Sequence, residues 1–102
     1  ARLGTRLKMK KDLIRQQIRF FGSVQGVGFR YTANNLAQSL GITGWVLNDY
    51  DGTVLMEAQG TKSEIENLIS RLNDGTFISI DRVEKNDLPV DTSEKYFRIK
   101  GW

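Results

Sequence analysis

The sequence of 102 residues contains no cysteine and no histidine. Without cysteine the chain cannot form disulfides, thiolate nucleophiles or sulfur-ligated metal sites, and this composition agrees with a cytoplasmic location. Without histidine it lacks the usual general base of neutral pH and the commonest zinc ligand. Any chemistry must therefore rest on carboxylates, lysine, arginine, amide groups or water.

Long apolar runs are also missing from the sequence. No stretch approaches the ~18 apolar residues that a membrane-spanning helix needs. The first residues are basic and polar, unlike the apolar core of a signal peptide. We therefore expect no membrane partner, and the length is that of one small domain with a single core.

Charge of one sign is in excess only at the start of the chain. The formal net charge of +3 lies in residues 1–8, and the remaining 12 basic residues are balanced by 12 acidic ones. Met9 resembles a natural start. We expect residues 1–13 to form a basic tail that is disordered or in part not native, and residues 14–102 to form the domain. A neutral domain gives no reason to expect a nucleic-acid partner.

Apolar periodicity predicts alternating strands and helices, with a capping box from Thr61 to Glu64 at the second helix and a bulge near Val83. In the last strand, Phe97 and Ile99 are expected to point inward. The predicted strands cover residues 14–22, 45–48, 53–59, 77–88 and 96–100, and the first helix covers 29–40. This order predicts an α+β fold, a ferredoxin-like βαββαβ sandwich. Its sheet would be mainly antiparallel, with two helices on one face and a short extra C-terminal strand.

The most distinctive segment is residues 22–30, GSVQGVGFR, which joins the first strand to the first helix. Three glycines allow several N–H groups to point toward one spot, and a helix N-terminus favours negative charge. Arg30 adds a permanent charge with a planar fork suited to phosphate oxygens. The segment matches neither GxxxxGK[ST] nor GxGxxG, so nucleotide binding is not indicated. We predict a phosphate-binding loop that consists of Ser23, Val24, Gln25, Gly26, Val27, Gly28, Phe29 and Arg30.

A second motif, GWVLNDYDGTV, covers residues 44–54 and is completed by Gly60. Together the two motifs resemble the acylphosphatase family, whose signatures are GxVQGVxFR and G-aromatic-x-x-N-x-x-x-G-x-V-x5-G. The first matches at every fixed position. The second departs only at Leu47, where a basic or polar residue is commoner. The resemblance covers residues 14–102.

The resemblance implies an enzyme that hydrolyses the carboxyl–phosphate bond of small acyl phosphates to a carboxylate and inorganic phosphate. It implies that Arg30 binds the phosphoryl group and that Asn48 orients the attacking water, without metal, cofactor or covalent enzyme intermediate. We expect a monomer. In a ferredoxin-like sheet the first two strands end at the same edge, about 10 Å or two strand spacings apart, so both side chains can reach one substrate.

Two other functions share part of this sequence pattern. RNA-binding RRM domains share the βαββαβ order, but they need aromatic residues on the third strand, and residues 53–59 contain none. Residues 49–53, DYDGT, imitate the DxDGT motif of magnesium-dependent phosphatases. Those enzymes have a larger Rossmann-like domain, so we interpret Asp49 and Asp51 as turn residues. Asn48 can also act as a turn former at the same hairpin.

Overall fold

The computed structural model describes residues 12–74 and 77–101. All seven predicted elements are present. They are β1 (Ile14–Ser23), α1 (Phe29–Leu40), β2 (Thr43–Asn48), β3 (Val54–Gly60), α2 (Lys62–Asn73), β4 (Ser79–Leu88) and β5 (Phe97–Ile99). The tail predicted over residues 1–13 lies almost wholly outside the described residues. No helix in the described ranges is both long and apolar enough to cross a membrane.

The five strands form one sheet in the order β4-β1-β3-β2-β5. β1 pairs antiparallel with β3 and β4, and β2 pairs antiparallel with β3. β5 joins the outer edge of β2 in parallel. These pairings confirm the ferredoxin-like α+β fold with its extra strand. Because β3 lies between them, β1 and β2 run parallel and end at the same edge of the sheet.

Both helices pack on one face of the sheet around a single core. Alternate residues of β1 and β3 point into it, as the sequence pattern predicts. The rings of Phe20 on β1 and Phe29 at the start of α1 lie 4.9 Å apart between centroids, in a tilted arrangement. This contact fixes the beginning of α1 against the end of β1. The buried apolar residues of this core are Ile18, Phe20, Val24, Phe29, Ala33, Ala37, Ile42, Val46, Val54, Met56, Ala58, Ile65, Leu68, Leu72, Ile78 and Phe97.

The bulge predicted near Val83 is present in β4. It lies at Asp81, two residues before Val83, because Phe21 pairs with Arg82 while Gly22 pairs with Ile80. Gly22 adopts φ 131°, and a Cβ there would strike the carbonyl oxygen of Ser79. Apolar alternation locates such a bulge only approximately, since β4 is an edge strand with few buried side chains.

Ile99 differs from the sequence prediction in its burial, because it is 38% exposed, whereas Phe97 is buried as predicted. Both lie on the short edge strand β5, where Phe97 pairs with Gly44 and Ile99 with Val46. The core beneath β5 therefore extends only as far as Phe97.

The sheet face away from the helices carries a buried arginine on β1. Arg15 is only 7% exposed. Its guanidinium donates a two-pronged pair of hydrogen bonds to Glu94, at 2.8 and 3.2 Å, and its Nε donates to Glu57 at 3.0 Å. The pKa of Arg15 is raised, chiefly by the hydrogen bond to Glu94. Such charge-assisted pairs satisfy a cation that is almost fully withdrawn from water.

Gln59 extends this polar network to the connection between β4 and β5, residues 89–96. Its side-chain amide donates to the carbonyl oxygen of Asp91 and accepts from the Asp91 N–H, both at 2.8 Å. It also accepts from Arg15 at 3.2 Å. The connection is thus fastened across the sheet at Asp91 and Glu94 just before the chain enters β5.

Candidate active site

The loop after β1 presents the N-terminus of α1 to solvent. Gly26 and Gly28 adopt left-handed conformations, with φ of 74° and 80°, and so turn the chain into the helix. Gly28 is the N-cap, and no side chain in the described part of the protein caps this helix end. The first-turn amides of a helix have no intrahelical partner, and the helix dipole places partial positive charge on them. Unpartnered amides and partial positive charge at a helix end are the features that favour an anion.

A cavity of about 370 Å³ lies at this helix end and joins the two sequence motifs. Arg30 lines it from the first turn of α1, and Asn48 lines it from the last position of β2. The common edge at which β1 and β2 end explains why these residues meet. The full lining is Val24, Gly26, Gly28, Phe29, Arg30, Tyr31, Asn48 and Ile99.

Gln25 fastens the loop to the turn between β2 and β3. Its Nε2 donates to the carbonyl oxygens of Asp49, at 2.7 Å, and Thr53, at 2.8 Å. The first of these acceptors directly follows Asn48 in the chain. Gln25 therefore fixes the distance between the two sides of the cavity without lining it. Val27 is half-buried against the core, and Ser23 is exposed at the end of β1.

The two aspartates of the DYDGT segment are engaged in the turn and with Arg19. Arg19 donates from Nη1 to Asp49 Oδ2 and to Thr53 Oγ1, both at 2.7 Å. Asp51 Oδ1 accepts from the N–H and the hydroxyl of Thr53, at 3.0 and 2.6 Å. The pKa of Asp49 is lowered, chiefly by Arg19, and the pKa of Asp51 chiefly by the Thr53 hydroxyl. These contacts match the interpretation of both aspartates as turn residues.

No group of three or more carboxylates among residues 12–74 and 77–101 is placed to hold a metal ion. The chemistry that the cavity itself supports is binding of an anion by amides and an arginine, next to an amide side chain that can hold a water. Asn48 offers both a donor and an acceptor for that purpose.

Tyr31 and Ile99 line the cavity although they are absent from the predicted loop. Tyr31 follows Arg30 directly, so its position could have been read from the start of the helix. Ile99 could not, because it reaches the cavity through the pairing of β5 with β2. Arg19 was missed as well, since strand alternation indicates only that it points away from the core.

Comparison with known proteins identifies a family that matches most of the chain. A sequence model described as Acylphosphatase matches residues 16–99. An acylphosphatase from Bifidobacterium longum is 35% identical over 96 residues, which cover 92% of this chain and 99% of that protein. An acylphosphatase from Geobacillus thermodenitrificans is 44% identical over 79 residues, which cover 76% of this chain and 84% of that protein. The structure of an acylphosphatase from Coxiella burnetii superposes with a TM-score of 0.81 at 29% identity, covering 89% of this chain and 96% of that one.

Proposed function

This chain belongs to the acylphosphatase family, and on that premise we propose how its residues act. Its reaction is the hydrolysis of the carboxyl–phosphate bond of acyl phosphates to a carboxylate and inorganic phosphate. The main support for the proposal is that Arg30, the N-terminus of α1 and Asn48 line the same cavity. These groups supply what the reaction needs, namely a phosphoryl site and a place for water beside it.

The phosphoryl group binds in the loop formed by residues 23–30. Backbone amides at the helix end and the guanidinium of Arg30 hold its oxygens. The amides carry partial positive charge and the guanidinium a full charge before the reaction begins. Little reorganisation is therefore needed when negative charge builds up in the transition state. Gly26 and Gly28 supply the backbone conformation that aims the amides into the cavity.

Asn48 holds the attacking water in line with the departing carboxylate. A carboxylate is a good leaving group, so positioning and charge stabilisation can supply most of the catalysis without a strong base. This mechanism suits a sequence that contains neither histidine nor cysteine. Gln25 keeps the two sides of the cavity at a fixed spacing through the carbonyl oxygen of Asp49.

We further propose that the enzyme acts as a monomer in the cytoplasm on a small-molecule substrate. The absence of cysteine supports the cytoplasmic location, and the balanced charge of residues 9–102 supports a small molecule rather than a nucleic acid as the partner. The cavity volume of about 370 Å³ is also at the small end of ligand pockets, which cover about 300–1,000 Å³.

The experiment that tests the function measures phosphate release from acetyl phosphate and benzoyl phosphate in the presence of EDTA. We expect turnover with both substrates. An RNA-binding module would release no phosphate, and a magnesium-dependent phosphatase would be inactive under chelation, so either result would contradict the proposed mechanism.

Arg30→Ala tests the phosphoryl site. The variant should lose at least ~10²-fold in activity, the scale seen when one donor to the transition state is removed, and it should bind inorganic phosphate much more weakly. Arg30→Lys keeps the charge but not the fork, so it should recover only part of the activity. Arg71→Ala, which removes an exposed arginine from the last turn of α2, is the matched control. A folded Arg30→Ala enzyme with half the normal rate would disprove this role.

Asn48→Ala tests the water site. Because the side chain is proposed to act on the nucleophile, kcat should fall strongly while inhibition by inorganic phosphate stays nearly unchanged. Asn86→Ala, on the exposed face of β4, is the matched control. Equal losses of kcat and of phosphate affinity would assign Asn48 to phosphate binding instead.

A further inference from the structure

The cavity is larger than its proposed phosphoryl site. Even at the ~30 Å³ that a whole water molecule occupies in the liquid, the four atoms of a phosphoryl group and its attacking water take up no more than about 150 Å³. The cavity has about 370 Å³. The phosphoryl site therefore leaves part of the cavity unfilled. Part of the acyl group can therefore lie inside the cavity.

Tyr31 and Ile99 are the lining residues that the proposed mechanism does not use. Both are large and remain exposed, at 69% for Tyr31 and 38% for Ile99. Each contributes apolar surface to the same cavity as Arg30 and Asn48. An exposed apolar side chain that lines a small cavity stabilises an apolar ligand by removing surface from water on binding.

The positive charge that lines the cavity is the one that we propose to bind the phosphoryl group. Among the described residues that line it, Arg30 is the only one with a positive charge. Lys100 follows Ile99 in the chain, but its Nζ lies over the ring of Trp45, 4.2 Å from the centroid. A second anionic group on the acyl part would therefore meet Tyr31 and Ile99 and lose water without gaining a charged partner.

We propose that Tyr31 and Ile99 form an acyl-binding wall that selects acyl phosphates with an uncharged, apolar acyl group. This inference rests on the proposed function, since it concerns the other end of the same substrate. The two residues determine specificity and take no part in bond breaking. The chain thus discriminates between acyl phosphates through side chains outside both sequence motifs.

The test compares kcat/KM for three probes: benzoyl phosphate, which is large and apolar, acetyl phosphate, which is small, and succinyl phosphate, which carries a second carboxylate. The wild-type enzyme should prefer benzoyl phosphate. Ile99→Ala and Tyr31→Ala should each lower the benzoyl-to-acetyl ratio by about tenfold, the low end of what lost apolar contacts in a pocket give. Tyr50→Ala, which removes a fully exposed tyrosine from the β2–β3 turn, should leave the ratio unchanged.

A gain-of-function variant makes the test independent of lost stability. Ile99→Lys places a cation at the wall and should raise kcat/KM for succinyl phosphate relative to benzoyl phosphate by at least tenfold. If the wild type hydrolyses all three probes but prefers succinyl phosphate, or if the ratios change less than twofold in all three wall variants, the acyl-binding wall is wrong. If the wild type hydrolyses none of them, the proposed function itself fails.

Discussion

Replacing Arg15 by methionine removes the centre of the polar network on the sheet face away from the helices. Methionine keeps an unbranched chain that can pack where the arginine stem lies, so the main change is the loss of the cation. Glu57 and Glu94 then lose the cation from which both carboxylates accept hydrogen bonds. Their side chains are 19% and 17% exposed, so each is mostly withdrawn from water.

The expected loss of unfolding free energy is about 2–3 kcal/mol. Breaking a fully buried ion pair costs about 3–5 kcal/mol, and the loss here falls at or just below the lower end of that range because both carboxylates keep some contact with water. For a domain near 100 residues each 1 kcal/mol shifts the melting temperature by about 4–8 °C. We therefore expect Tm to fall by roughly 10–20 °C.

Urea denaturation at pH 7, followed by tryptophan fluorescence, measures this loss as a lower midpoint at unchanged m. Arg82→Met is the matched control, because it removes an arginine that is 61% exposed and whose Nη2 lies 3.4 Å from Oε2 of Glu84. An exposed pair contributes at most about 1 kcal/mol. Glu94→Gln added to Arg15→Met should restore part of the stability, since it removes an unpaired charge. If Arg15→Met were no more destabilising than Arg82→Met, the network would not hold the connection in place.

Further predictions concern the turn, the loop and the tail. Asp49→Asn should lower stability at pH 7 and spare activity. The difference from the wild type should persist above the unfolded carboxyl pKa of ~3.9 and vanish as pH falls through the lowered folded pKa, measured as urea midpoints across pH. Gly22→Ala should lower the urea midpoint far more than Gly26→Ala, because only the former meets a backbone carbonyl, while the latter adds about 1–2 kcal/mol of left-handed strain. Deleting residues 1–8 should leave kcat and the urea midpoint unchanged but abolish retention on heparin at low salt, since the excess charge lies there.

Local features of the fold could be predicted because they depend on neighbours in the chain. The capping box is an example: the Thr61 hydroxyl accepts from the Glu64 N–H at 3.2 Å, and the Glu64 carboxylate accepts from the Thr61 N–H at 2.9 Å. Both partners lie within one helical turn, so residue types and spacing were sufficient. The convergence of Arg30 and Asn48 followed from topology in the same direct way.

Contacts between distant segments that depend on more than the strand order could not be predicted. Arg15 and Glu94 are 79 positions apart and meet only after β1, β3 and the β4–β5 connection have been brought together. Strand alternation indicates that Arg15 points away from the core, but not that a connecting segment covers it. The position of Ile99 at the cavity depends similarly on the register of an edge strand three residues long.

The position of β1 between two strands that come later in the chain has a consequence for folding kinetics. β1 comes first among the described strands, yet its partners lie far along the chain, with Ile14 opposite Gly60 and Arg15 opposite Leu88. Closing such loops loses chain entropy before any pairing energy is gained, and small domains dominated by distant contacts fold in milliseconds to seconds rather than microseconds. The loop that we propose to bind phosphate extends from the end of this strand, so we expect it to take its shape only after both neighbouring strands have docked. A newly made chain should therefore acquire activity at the rate at which β1 is enclosed, and not at the faster rate at which its helices form.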